Sequence, residues 1–163
     1  MSVRIDFIEA SPLWKRALPT RKLTRDAVAA AVAESESRLR RGAEMSVHLV
    51  DDARMRAINA EWRHKDAATN VLSFPASDPR RVSEARLLGD VLIAFETLER
   101  EAAEECKTLA DHFCHLVVHG FLHLLGFDHI EEADAEKMEP IEIRALARLG
   151  IANPYAEREL KDP

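Results

Sequence analysis

At 163 residues with 47% hydrophobic side chains, the chain fits one domain and carries enough apolar surface for a real core. No stretch approaches the roughly 18 apolar residues that span a bilayer, and no basic then apolar leader opens it, so a soluble, cytoplasmic protein without a membrane partner is expected. A formal charge of −6 argues against nonspecific coating of nucleic acid, DNA included, because phosphate affinity comes from clustered cations; a local RNA groove stays open.

In chain order, residues 3 to 8 alternate in character and predict a half-buried strand. Pro12 and Pro19 bracket a loop containing Trp14. Thr24 can cap an alanine-rich helix running to about Arg41, with Gly42 as its stop. Met45 to Val50 reads as a second strand with Val47 and Leu49 opposite His48, and Asp51 or Asp52 can cap a short helix to about Trp62, directly before Arg63. Residues 69 to 75 form a third strand ending at a proline that cannot donate to a ladder. A basic loop from Ala76 to about Arg86 separates it from the nearly continuous apolar run Leu87 to Phe95, a strand covered on both faces. A charged, exposed helix follows from about Thr97 to Cys106.

The next helix, about Thr108 to Leu125, is apolar nearly all round and therefore central. Helix resumes from Ala133, with Pro140 either kinking it or starting a new one, and Gly150 ends it. Four short strands with interspersed helices predict an α+β fold, a small mixed sheet with the histidine-bearing helix behind it. Residues 1–152 are expected to form one domain and 153–163 a loose tail. Cys106 and Cys114 stand eight apart on helical spacing, about 12 Å, which exceeds the reach of a disulfide.

Chemistry concentrates in the run HGFLHLLGFDH, residues 119 to 129. His119 and His123, four apart on one helix, project from the same face and can share an ion. Gly126 can end the helix in a left-handed conformation and turn His129 back toward the same point. Three imidazoles with an open fourth position is how catalytic zinc is held. His112 and His115 extend the same stripe, so the pair His115 and His119 competes with the pair His119 and His123; the returning His129 favours the later one. Asp128 can accept a ring N–H of a ligand or merely bond the turn after Gly126. Asp90, inside an apolar strand, can anchor a neighbouring loop or orient a histidine.

The same run resembles the signature of the YbeY family of metal-dependent endoribonucleases. The Gly-Asp-Val at 89 to 91 and the segment 69 to 75 with its preceding arginine resemble the family too, although Asn70 stands where the family usually has aspartate. The resemblance, which covers roughly residues 3 to 150, implies one Zn2+ per chain on His119, His123 and His129, and a functional arginine at Arg63 near the metal. It implies a single-strand-preferring endoribonuclease of late ribosomal RNA maturation and ribosome quality control. Its partners would be the small ribosomal subunit or its assembly factors, and its target the 3′ end of the small-subunit RNA.

Zinc would activate water and polarise the phosphodiester, while Arg63 would stabilise the extra negative charge with its forked donors. Two rivals share the metal. One is a non-catalytic zinc-containing assembly factor; the other is a metalloprotease, since the spacing also fits H-E-x-x-H-x-x-G-x-x-H. Gly120 replaces the glutamate that serves those peptidases as general base.

Overall fold

The computed structural model describes residues 3–127 and 132–156, and of 132–135 the backbone alone. Four strands, β1 (Arg4–Glu9), β2 (Glu44–Val50), β3 (Val71–Pro75) and β4 (Leu87–Ala94), form one sheet in the order β1-β2-β4-β3. β1 runs parallel to β2 and β2 to β4, while β3 lies antiparallel to β4 at the edge. Five helices accompany it: α1 (Thr20–Ser35), α2 (Asp52–Arg63), α3 (Phe95–Glu104), α4 (Leu109–Leu124) and α5 (Glu132–Arg148). The mixed sheet with its segregated helices is the α+β architecture expected.

Alternation decides the faces. Met45, Val47 and Leu49 of β2 are buried on the face that receives the helices α1, α4 and α5, and the main core continues through Val91 and Ile93 of β4. His48 and Leu92 point the other way, where a smaller cluster of Val50, Met55, Leu92 and Ala94 packs with Ile58 of α2 and Phe74 of β3. Trp14 sits in a 3-10 turn, Pro12–Trp14. Its indole N–H donates to the Val50 carbonyl at 2.8 Å and its ring meets Phe95 and Phe113 edge-on at 5.1 and 5.7 Å.

Three boundaries depart from the sequence reading. α1 begins at Thr20, behind Pro19, which leaves Thr24 inside the helix and fully buried rather than capping it. The helix stops at Ser35, short of Arg41: Ser35 Oγ bonds the Val32 carbonyl and the Ser37 hydroxyl, competing with the helical ladder, and Glu36 turns left-handed. The strand before α3 ends at Ala94, and α3 starts at once with Phe95. That helix is half-buried, not exposed, because Phe95, Leu98 and Ala102 repeat at helical spacing beneath its charges. Its N-terminus and that of α2 cap each other: Asp52 Oδ1 accepts from the Thr97 N–H and hydroxyl, and Glu96 accepts the Asp52 N–H.

α4 carries the core. Thr108 caps it by accepting the Asp111 N–H at 3.1 Å, and its apolar residues from Phe113 to Leu124 are buried. It ends as expected at Gly126 (φ +100), where Gly126 N–H bonds the His123 carbonyl and Phe127 N–H the Leu122 carbonyl, the paired bonds of a Schellman cap. α5 passes through Pro140 without stopping; the proline is exposed, so the carbonyl it leaves unpaired faces water. Arg144 and Arg148 of α5 both grip Glu34 of α1, at 3.0 and 2.6 Å. Of the segment from Asn153, residues 153–156 are described, and Tyr155 lies against His115 with ring centroids 5.6 Å apart. No described helix is long and apolar enough to cross a membrane.

α4 approaches the sheet most closely at Gly120. A Cβ there would meet Val91 Cγ1 at 2.7 Å and Ser73 Oγ and Val71 Cγ2 at 3.2 Å. Gly120→Ala is therefore expected to destabilise despite its gain in helix propensity of about 1 kcal/mol, since overpacking costs about 1–3 kcal/mol. Gly89→Ala, at φ +132 with Phe74 O 2.2 Å from the new Cβ, should lose about 3 kcal/mol or more. Urea unfolding midpoints check both, and a wild-type midpoint for Gly120→Ala would refute the close approach.

The cysteines give a second check. Cys106 is exposed, whereas burial pushes the Cys114 thiol up to about 11. A thiol reagent at pH 8 should modify one cysteine quickly and the other only on unfolding.

Candidate functional site

Four histidines, at 112, 115, 119 and 123, run along one stripe of α4 with successive rings edge to face, 6.0, 6.3 and 4.7 Å between centroids. A polar stripe on an otherwise buried helix has to find partners, and each ring has one. His112, 3% exposed, bonds Glu101 Oε1 of α3 through Nε2 at 2.9 Å. Burial would raise the Glu101 carboxyl, yet the hydrogen bonds from His112 and Asn70 outweigh it and hold it below the usual range.

His115 Nε2 lies 3.4 Å from the Tyr155 hydroxyl and 4.0 Å from Glu142 Oε1. Burial above all, with His119 beside it, pushes the His115 ring down to about 3, so it is neutral at physiological pH. His119 is contacted from two sides. Its Nδ1 stands 2.5 Å from Glu142 Oε1, and its Nε2 stands 3.1 Å from His123 Nε2. Glu142 is fully buried on α5, and its second oxygen accepts the Tyr155 hydroxyl.

Two groupings of ligand atoms thus share His119. His115, His119 and Glu142 bring their ligand atoms within 4.8 Å of one another and could hold a metal ion. His119 and His123 converge through Nε2. Two nitrogens on one tetrahedral zinc, each about 2.0–2.1 Å from it, stand about 3.3 Å apart, so the observed 3.1 Å fits such an ion with little adjustment. His129 and Asp128 lie outside the described residues.

The His119 and His123 edge opens on a cleft of about 260 Å³ whose opposite wall carries Arg63, Asn70 and Ser73. Arg63 is the last residue of α2; His64, left-handed at φ 59, ends the helix there. The guanidinium donates through Nη2 to the Ser73 carbonyl at 2.7 Å and lies over the Phe74 ring, 5.1 Å from its centroid. Ser73 Oγ in turn donates to the Gly120 carbonyl at 2.9 Å, joining the arginine's strand to the histidine helix. None of the described residues lining the cleft is acidic. The structure thereby brings Arg63 to the same cleft as two of the predicted ligands.

Asp90 is elsewhere. It bonds His48 Nε2 of the adjacent strand at 3.0 Å and borders a different groove, beside Trp62 and Phe74. Asn70, at the family's aspartate position, accepts the Val71 N–H at 2.7 Å and donates to Glu101 at 3.0 Å, so it still caps the start of β3. Glu142 and Tyr155 went unremarked in the sequence. A signal for Glu142 exists: it stands four residues after Met138, the apolar residue among charged neighbours in Glu136-Lys137-Met138-Glu139, and so shares its helix face; Met138 is buried. Tyr155 has no such marker.

A family model described as Endoribonuclease YbeY matches residues 14–150. Proteins named Endoribonuclease YbeY are similar along most of the chain. That of Rhizobium johnstonii is 57% identical over 120 residues, covering 72% of this chain and 70% of its own; that of Bradyrhizobium diazoefficiens is 49% identical over 149 residues, covering 89% and 81%. That of Stutzerimonas stutzeri is 55% identical over 114 residues, covering 70% and 71%. A Thermotoga maritima protein solved in solution superposes with a TM-score of 0.60 at 20% identity, covering 98% of this chain and 93% of that one, a likeness of fold. Matched from Trp14 to Gly150 by the family model and by relatives at about half identity, the chain belongs to the YbeY endoribonuclease family.

Proposed function

We propose that the protein is a zinc-dependent endoribonuclease, with one Zn2+ held by His119, His123 and His129 and with Arg63 as the cation that meets the scissile phosphate. The observation that carries this reading is the convergence of His119 and His123 Nε2, 3.1 Å apart, on a cleft that Arg63 also lines and to which no described residue brings a carboxylate. A hydrolytic site for a polyanion needs that combination: a place for a Lewis acid and a fixed cation, without fixed negative charge to repel the substrate.

When bound, zinc supplies Lewis acidity and lowers the pKa of water toward neutrality. The chain's own residues supply position. Ser73 and Phe74 hold the guanidinium before substrate arrives, one by accepting a single N–H and the other by stacking, which leaves further donors to face phosphate oxygens. Preorganised donors of this kind lower the barrier because they need no reorientation as charge develops. The Schellman cap at Gly126 ends α4 at Leu124, just after His123, and the third ligand, His129, is assigned by the spacing of the motif.

The family name supports an RNA substrate; we extend this to ribosomal RNA, preferentially single-stranded, at the 3′ end of the small-subunit transcript during late maturation and quality control in the cytoplasm, with the small subunit or its assembly factors as partners. A peptidase is disfavoured on local grounds: position 120, where a zinc peptidase of this spacing carries its glutamate, is packed against Val91, Ser73 and Val71 and has no room for one.

Metal content and cleavage of a structured ribosomal RNA, measured on wild type, His123→Ala and Arg63→Ala, separate this reading from a non-catalytic assembly factor. Wild type should carry one zinc and cut in a chelator-sensitive manner. His123→Ala should lose zinc and cutting together. Arg63→Ala should keep zinc and cut about a hundred- to thousandfold more slowly. Normal cutting by Arg63→Ala would remove the arginine from the chemistry, and no cutting by zinc-loaded wild type would hand the site to the assembly factor.

A further inference from the structure

Glu142 is a carboxylate with no exposed surface, placed by α5 against the far side of the His119 ring. Such a group is costly to bury unless its oxygens are engaged. Both are: Oε1 by His119 Nδ1 at 2.5 Å, Oε2 by the Tyr155 hydroxyl. An imidazole has two nitrogens, and in its neutral form only one carries hydrogen. With Nδ1 donating to Glu142, the lone pair is left on Nε2, the atom that converges with His123 Nε2 on the Arg63 cleft.

The alternative, Glu142 as a direct ligand beside His115 and His119, asks more of the same atoms. His119 Nδ1 and Glu142 Oε1 stand at a hydrogen-bonding separation of 2.5 Å, shorter than the spacing of about 3 Å or more that two ligands of one tetrahedral ion keep. It would also remove His119 from the side where His123 waits.

We propose that Glu142 is a positioning residue for the metal centre: it accepts the His119 Nδ1–H, fixes the tautomer and ring plane that aim Nε2 at the ion, and is itself held by Tyr155. This deepens the zinc reading above and rests on it. A carboxylate behind a metal-bound imidazole also raises its basicity, and loss of such a partner weakens metal binding about 10- to 100-fold.

Zinc affinity, measured by competition with a chromophoric chelator on the full chain at fixed pH, tests this together with thermal unfolding of the zinc-free proteins and the visible spectrum of their cobalt forms. Glu142→Gln keeps the shape and an acceptor oxygen but not the charge. It should bind one zinc about 10- to 100-fold more weakly, with an unchanged cobalt band pattern and a zinc-free Tm near wild type. Tyr155→Phe should weaken zinc by a smaller factor in the same direction, and His119→Ala should bind none. Wild-type affinity in Glu142→Gln overturns the assignment. So does a changed cobalt band pattern in Glu142→Gln, or metal binding lost as completely as in His119→Ala by a folded protein, either of which would make Glu142 a ligand. Should Glu142→Gln not fold, Tyr155→Phe decides alone, and its unaltered affinity overturns the proposal. A wild-type protein that takes up no zinc sinks the metal reading and this inference together, whereas a zinc-binding wild type with equally tight variants sinks only the latter.

Discussion

The site depends on how closely α4 lies against the sheet. Only a residue without a side chain permits the approach at position 120, and the approach places the Gly120 carbonyl within reach of the Ser73 hydroxyl, 2.9 Å away. Ser73 also fixes Arg63 through its own carbonyl. One residue of β3 therefore ties the arginine to the helix that bears His119 and His123. The apolar core holds the helix down; these two hydrogen bonds set the distance across the cleft.

The same burial creates the electrostatic problem that the histidine stripe has to solve. α4 is covered by α1, α3 and α5, so its imidazoles are drawn into low dielectric, as the depressed His115 shows. The solution is to bring carboxylates from the neighbouring helices, Glu101 from α3 and Glu142 from α5, rather than from α4 itself. The histidine stripe is thus held by three elements at once, α3, α4 and α5. The position of α5 in the bundle, fastened to α1 by Arg144 and Arg148 on Glu34, then bears on the orientation of the His119 ring.

What could be read in the sequence follows from this. Strands β2 and β4, the buried character of α4, its stop at Gly126 and the convergence of His119 with His123 all rest on local spacing, and local spacing is what a sequence displays. Gly120 was legible only as a missing glutamate, because its packing partners, Val71, Ser73 and Val91, come from other strands. Arg63 was visible through family resemblance; alone it reads as the cationic end of a helix. Glu142 and Tyr155 were hidden for a related reason. Their contacts with His119 and His115 span 23 and 40 residues, and their neighbours in sequence are charged or loop-forming. The early start of α1 and the buried face of α3 were missed where capping and charge were weighed above apolar spacing at Phe95, Leu98 and Ala102.

A net charge of −6 and an RNA substrate are reconciled by where the charges stand. Exposed charges more than about 10 Å apart are largely screened at 0.1 M salt, so overall repulsion reaches the scissile phosphate weakly, while a cation at its side acts in full. The cleft wall supplies Arg63 and hydrogen-bonding groups, and the described acids that bond the histidines are turned away from it: Glu101 toward His112 and Asn70, Glu142 into the core behind His119. Acidic groups can thus hold the histidines from behind without lining the cleft. That division explains how a buried carboxylate and a cleft lined by Arg63 can occupy opposite sides of one imidazole, and it makes the orientation of His119, rather than the charge of the whole chain, the quantity on which the proposed chemistry turns.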